Sequence, residues 1–161
     1  LELNYSSVAF YRNAYNIFAI VLLPFMGKLL GNIGPMKFGV ITFASLLLYF
    51  LFVILSGIFP SYLIVYNIKI FYLMIVALVF HGFFASTMAL LWNIGSAYFG
   101  KNEEAGLYQN VHLFLTGVRA IPSPIIGMLI YQSFGYVACF STTIVLLFIG
   151  IFVIRKALKP K

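Results

Sequence analysis

The sequence predicts an all-α membrane protein, a polytopic bundle of five transmembrane helices, and three observations carry that expectation. Of its 161 residues, 63% are hydrophobic and only 8% are charged, with a mean hydropathy of +1.08. A soluble domain has roughly 25% charged residues, so this chain has too little polar surface to cover a water-facing shell. Its apolar residues fall into five runs of about 20 residues or more, the length a helix needs to cross a bilayer. Its Lys and Arg residues sit at the ends of those runs and do not form one basic face, which marks topology and not a nucleic-acid footprint. No nucleic-acid partner is expected.

The expected spans are residues 7–30, 37–59, 70–98, 105–131 and 136–154, in a single transmembrane domain. The breaks between them read GNIGPMK, FPSYLIVYNIK, FGKNEEAG and QSFGY, where Gly and Pro punctuate the chain and charges meet water. Counting Lys and Arg places Lys28, Lys37, Lys101, Arg155, Lys156, Lys159 and Lys161 on one side. The other side holds Lys69, with Arg12 near the start of the first span. By the positive-inside rule the C-terminus is cytoplasmic and the first residue is external. An odd number of spans and a start without Met lead to the expectation of a fragment with at least one preceding span.

The spans differ in character. The second and fifth are apolar on nearly every side and are expected at the periphery. The first carries Arg12, Asn13 and Asn16, the third His81, Ser86 and Asn93, and the fourth Gln109, His112, Thr116, Arg119 and Ser123. Lipid does not solvate such groups, so these three helices are expected to turn their polar faces to a cavity or to one another. On the fourth span the polar residues recur at spacings of three and four, which is one continuous helical stripe. Arg119 lies too deep to reach the interface easily, and insertion of a central Arg costs roughly 2.5–3.5 kcal/mol. It calls for water, a counter-charge or an anionic ligand. No span contains an acid: Glu2 is at the start, and Glu103 and Glu104 lie in a connection. Two readings follow, a cavity-lining Arg that meets a substrate and an Arg satisfied by neighbouring carbonyls or a fixed ion pair.

His81 and His112 each read either as proton-coupling groups or as neutral, hydrogen-bonded bundle residues. Two His on separate helices without an acid or Cys beside them do not form a metal site, and none is expected. Cys139 reads as a small apolar-run residue. Trp92 fits an interface anchor, and Asn93 a hydrogen bond across helices or to substrate. Arg12 and Asn16, one turn apart, form a second polar pair. Pro122 and Pro124 remove backbone donors and predict a kink. Gly27 and Gly31 permit close helix approach. Triads, phosphate loops and dinucleotide fingerprints are missing from the sequence, so neither an enzyme nor a bound cofactor is expected.

A repeat spans the chain. PFMGKLLGNIG, from Pro24 to Gly34, and PIIGMLIYQSFG, from Pro124 to Gly135, share Pro-x-x-Gly-x-Leu and then a Gly at the next break. Gly127 is the second copy's counterpart of Gly27. One copy ends a helix on the cytoplasmic side and the other on the external side. Related segments in opposite orientation are a mark of inverted repeats in secondary transporters.

On these residues the chain resembles the C-terminal half of a major facilitator superfamily transporter, covering its eighth to twelfth helices without the seventh. Gly27, Gly34 and the basic Lys37 fit loosely to the family's loop motif, Gly-x-x-x-Asp-Arg/Lys-x-Gly-Arg/Lys. Gly31 and Asn32 depart from it, where Asp and a basic residue are expected. TGVRAIPSPIIG matches a TG-x-R-x-x-x-x-P-x-x-G pattern through Thr116, Gly117, Arg119, Pro124 and Gly127. The resemblance implies a partial fold with inverted repeats in the plasma or bacterial inner membrane. It implies transport of a small solute by alternating access, with lipid, a small-molecule substrate and the missing N-terminal half as partners. A non-transporting scaffold or subunit, whose polar stripe only packs helices, is the competing expectation.

Overall fold

The computed structural model describes residues 3–98 and 104–158. The charges at Glu2, Lys101, Glu103, Lys159 and Lys161, and most of the FGKNEEAG break, lie outside the described residues. Helix α1 runs Tyr5–Ile58, α2 Tyr72–Ile94, α3 Ala105–Ala120 and α4 Pro122–Ala157. Strands β1 (Tyr62–Val65) and β2 (Ile68–Phe71) stand between α1 and α2, and a 3-10 turn, Gly95–Tyr98, follows α2. Among the described residues, three stretches are long and apolar enough to cross a membrane: Tyr5–Ile58, Tyr72–Ile94 and Gly106–Ala157.

Two of those stretches are not straight. Inside α1 only Gly34 leaves helical geometry (φ 74°, ψ 165°), and inside α4 only Gly135 does (φ 79°, ψ 179°). This corner of backbone space is essentially restricted to glycine. The chain folds back at both positions. Tyr15 and Tyr49 would lie about 50 Å apart on a straight helix, yet their rings sit 4.3 and 4.5 Å from the His81 ring. Gly127 and Cys139 would lie about 18 Å apart, yet the Cys139 thiol is 3.7 Å from the Gly127 carbonyl oxygen. Each hairpin thus has a first arm, residues 5–33 or 122–134, and a second arm, residues 35–58 or 136–157. The two copies of the sequence repeat end in the same glycine conformation.

Ring contacts fix the directions of the arms. Tyr15 and Phe18 of the first arm meet His81 and Phe83 of α2, so these two run parallel. The second arm meets α2 through Tyr49–His81 and through Phe52–Phe80, stacked at 5.6 Å. The second arms of α1 and α4 run antiparallel. Phe50 meets Phe140 at 5.3 Å, Phe43 lies against Gly150, and Tyr136 lies against Gly57.

The described chain is mostly helical, and its departure is the region 59–69, expected as a plain connection. It contributes to an antiparallel hairpin pairing Tyr62 with Phe71 and Val65 with Ile68. YLIV and IKIF are rich in β-branched and aromatic residues, and the two-residue turn between them, Tyr66 and Asn67, has positive φ at both positions (45° and 63°). That is the turn geometry matched to strand twist. The third span is shortened accordingly, starting at Tyr72 because Phe71 is still strand.

Polar side chains of α1 fasten this hairpin. Asn4 caps the helix by accepting from the Ser7 N–H at 2.9 Å, and its amide donates to the Asn67 carbonyl at 2.7 Å. Ser7 Oγ accepts from the Lys69 N–H at 2.9 Å. Tyr11 Oη accepts from the Phe71 N–H at 2.6 Å and donates to the Lys69 carbonyl at 3.0 Å. Positions 4, 7 and 11 share one helix face, so side chains cover the backbone groups of an otherwise open strand edge.

The second arm of α1 was expected at the periphery; instead it supplies much of the core, with Phe38, Thr42, Leu47, Val53, Ile54 and Ser56 buried. A helix that is apolar all round reads the same whether protein or lipid surrounds it. Close approach at glycine falls on Gly57, Gly82 and Gly150, where aromatic rings lie against the backbone. A Cβ at Gly27, Gly31 or Gly127 would meet nothing within 4 Å.

Candidate functional site where α2 meets α3

Helix α3 is exposed along most of its surface, and its half-buried side chains are Gln109, His112 and Thr116. These are three members of the expected polar stripe. Their face turns toward the end of α2, where Trp92 meets the His112 ring edge-on at 4.8 Å. Two polar atoms here are buried without a hydrogen-bond partner, Gln109 Oε1 and His112 Nε2. One turn apart on the same face, they offer an amide oxygen and an imidazole nitrogen beside an indole ring. Buried polar atoms in folded proteins are nearly always paired, so this face has unused capacity for a polar ligand, water or another segment.

The stripe does not continue inward along its length. Arg119 is exposed, and no ion pair joins it to an acid among the described residues, whose one acid is Glu104. Ser123 Oγ donates to the Arg119 carbonyl at 2.6 Å, a local bond within the helix. Pro122 opens α4 at its first turn, where its missing N–H is tolerated. The helical hydrogen bonding breaks at Ile121, although the backbone there stays in the helical region (φ −71°, ψ −56°). Both prolines therefore mark a joint between α3 and α4, with Pro124 two residues further in than Pro122.

The other candidates lie elsewhere. Asn93 is exposed and donates to the Ala89 carbonyl of its own helix at 2.7 Å. Arg12 and Asn16 are exposed on the first arm of α1, near the end that carries the β-hairpin, whereas Trp92 lies at the opposite end of α2. His81 sits within an aromatic cluster of Tyr15, Tyr49 and Phe84, with Nδ1 buried and unpartnered. Sequence reasoning missed Tyr15 and Tyr49. Tyr49 lies in a run of apolar residues, and only the fold-back at Gly34 brings it to His81. Among the described residues, no three His, Cys, Asp or Glu side chains gather as a metal-binding group.

Comparison with protein-family models, curated proteins and solved structures finds no match to this chain.

Proposed function

We propose that the chain is an integral membrane bundle of five spans, forming part of a secondary active transporter that moves a small solute by alternating access. The two hairpin arms of α1, then α2, then α3 with the first arm of α4, then its second arm, are the five spans. Their directions alternate, as five successive crossings require. The resemblance to the C-terminal half of a major facilitator superfamily transporter fits this order. The repeated glycine fold-backs at Gly34 and Gly135 support its inverted repeats.

The observation that carries the reading is the pair of unpartnered buried atoms on Gln109 and His112. They lie on the same helix as Arg119, which has no carboxylate partner among the described residues. A helix with this polar face makes sense against a cavity or against further helices of the proposed transporter, because lipid would leave those groups unsatisfied. Arg119, His112 and Gln109 are the proposed substrate-facing positions. Lys28, Lys37, Arg155 and Lys156 gather at the Gly34 end, while Lys69 and Arg12 lie at the hairpin end. This sorting supports a cytoplasmic C-terminus in a plasma or bacterial inner membrane.

Uptake or efflux by the full-length protein tests the proposal. Arg119→Ala is expected to reduce transport efficiency roughly 10- to 100-fold, the loss of one charge-assisted hydrogen bond. Wild-type rate and affinity in that variant would overturn the substrate role of Arg119 and favour a scaffold whose stripe only packs helices.

A further inference from the structure

Between the second arms of α1 and α4 lies an apolar groove of about 420 Å³, lined by Val40, Ala44, Leu48, Phe148, Phe152 and, at one end, Arg155. The lining residues of α1 run from Val40 to Leu48, which is about 12 Å of helix. One leaflet of a bilayer supplies about 15 Å of hydrocarbon. The groove is therefore close to one leaflet deep, with a guanidinium at its mouth.

The charge around that mouth has one dominant sign. Gly39 lies level with Ile154, where a Cβ on the glycine would be 3.8 Å from the isoleucine side chain. Continuing the antiparallel register by two residues brings Lys37 level with Lys156. Lys37, Arg155 and Lys156 are all exposed, and no ion pair engages them among the described residues. The apolar floor and the cationic rim thus match the two halves of one kind of molecule.

We propose that this groove is a binding site for an anionic phospholipid of the leaflet at the Gly34 turn. One acyl chain lies between Ala44 and Phe148, and the phosphate is held by Arg155 with Lys37 and Lys156. The inference rests on the membrane-spanning reading above. Its recognition is electrostatic at the head and dispersive along the chain: basic sites between spanning helices capture anionic head groups, and a groove of this depth receives a chain that bulk lipid would otherwise supply without preference.

The test uses the full-length protein in neutral detergent, titrated with dioleoyl phosphatidylglycerol or dioleoyl phosphatidylcholine and read by native mass spectrometry. The wild type is expected to retain phosphatidylglycerol at roughly tenfold lower concentration than phosphatidylcholine, the size expected for one to two cations near a head group. The triple variant K37Q/R155Q/K156Q is expected to bind both lipids alike. Ala44→Phe, which fills the groove, is expected to weaken retention of both lipids. Ala44→Leu is the milder substitute if circular dichroism shows the phenylalanine variant misfolded. Equal retention of the two lipids by the wild type would overturn the proposal. So would unchanged phosphatidylglycerol binding in a folded groove-filling variant. Competition by glycerol 3-phosphate as strong as that of the whole lipid would indicate a free-phosphate site, and a wild-type dimer that buries the groove would indicate a second copy; either result overturns the lipid assignment. Alkaline carbonate extraction separates the two levels of inference. Release of the chain from membranes sinks the spanning reading itself, whereas a retained chain without lipid preference sinks only the groove.

Discussion

Gly34 and Gly135 are the residues on which the architecture turns. Both hold φ near 75° with extended ψ, and a Cβ at either position would meet nothing within 4 Å. Any penalty for substitution is therefore backbone strain and not a clash. Gly34→Ala and Gly135→Ala are each expected to cost about 1–3 kcal/mol, measurable as reduced resistance to denaturation in detergent. A loss below a few tenths of a kcal/mol would mean that the fold-back does not need this geometry. Both glycines stood out in the sequence, because each closes a copy of the Pro-x-x-Gly repeat at a break between apolar runs. The sign of φ was not legible there, since a glycine ending a helix serves many turn geometries.

Among the elements, the β-hairpin shows how polar residues at the start of α1 are used. Tyr11 is buried and its hydroxyl accepts the Phe71 N–H. Tyr11→Phe keeps the ring and removes that acceptor, leaving a buried donor unpaired at a cost of about 1–3 kcal/mol. Amide exchange at Phe71 is expected to speed up in step, and unchanged exchange would argue against the bond. Helix packing offers a second test. A Cβ on Gly82 would press into the Phe18 ring, so Gly82→Val is expected to destabilise by about 1–3 kcal/mol through overpacking. Phe18→Ala in the same chain is expected to recover part of that loss, and an additive double variant would show that the two residues do not couple. The hairpin had a signal in the sequence: two four-residue β-prone runs around Tyr66 and Asn67. Its proximity to long apolar helical runs masked it. The contact of Phe18 with Gly82 had no such signal, because it depends on how two helices lie side by side.

At the scale of the whole molecule, the spanning reading makes a two-sided prediction. Asn32 is exposed beside the Gly34 turn, and Tyr66 is 96% exposed at the tip of the hairpin. With Cys139 replaced by Ala, Asn32→Cys and Tyr66→Cys are expected to react with an impermeant thiol reagent from opposite faces of a sealed membrane. Labelling of both from one face would overturn the proposed alternation of five spans. The sparse packing of α3 belongs to this scale too. It leaves the stripe of Gln109, His112 and Thr116 partly covered and Arg119 open, which fits the proposal that further helices pack against this face.

The sequence by itself determined that this chain is helical and apolar enough for a bilayer, where its breaks fall, and which helix carries a polar stripe. Those properties follow from composition, run length and a spacing of three to four residues, all of which are local. Tertiary structure decided that the second arm of α1 is core and not periphery, that His81 lies among Tyr15 and Tyr49, and that only the Gln109, His112 and Thr116 part of the stripe turns inward. It also decided that Phe43 and Tyr136 pack against glycines far away in the chain. These outcomes depend on the two sharp reversals at glycine and on which helix faces then meet. Hydrophobic patterning cannot express either, because a residue buried against protein and one facing lipid are equally apolar.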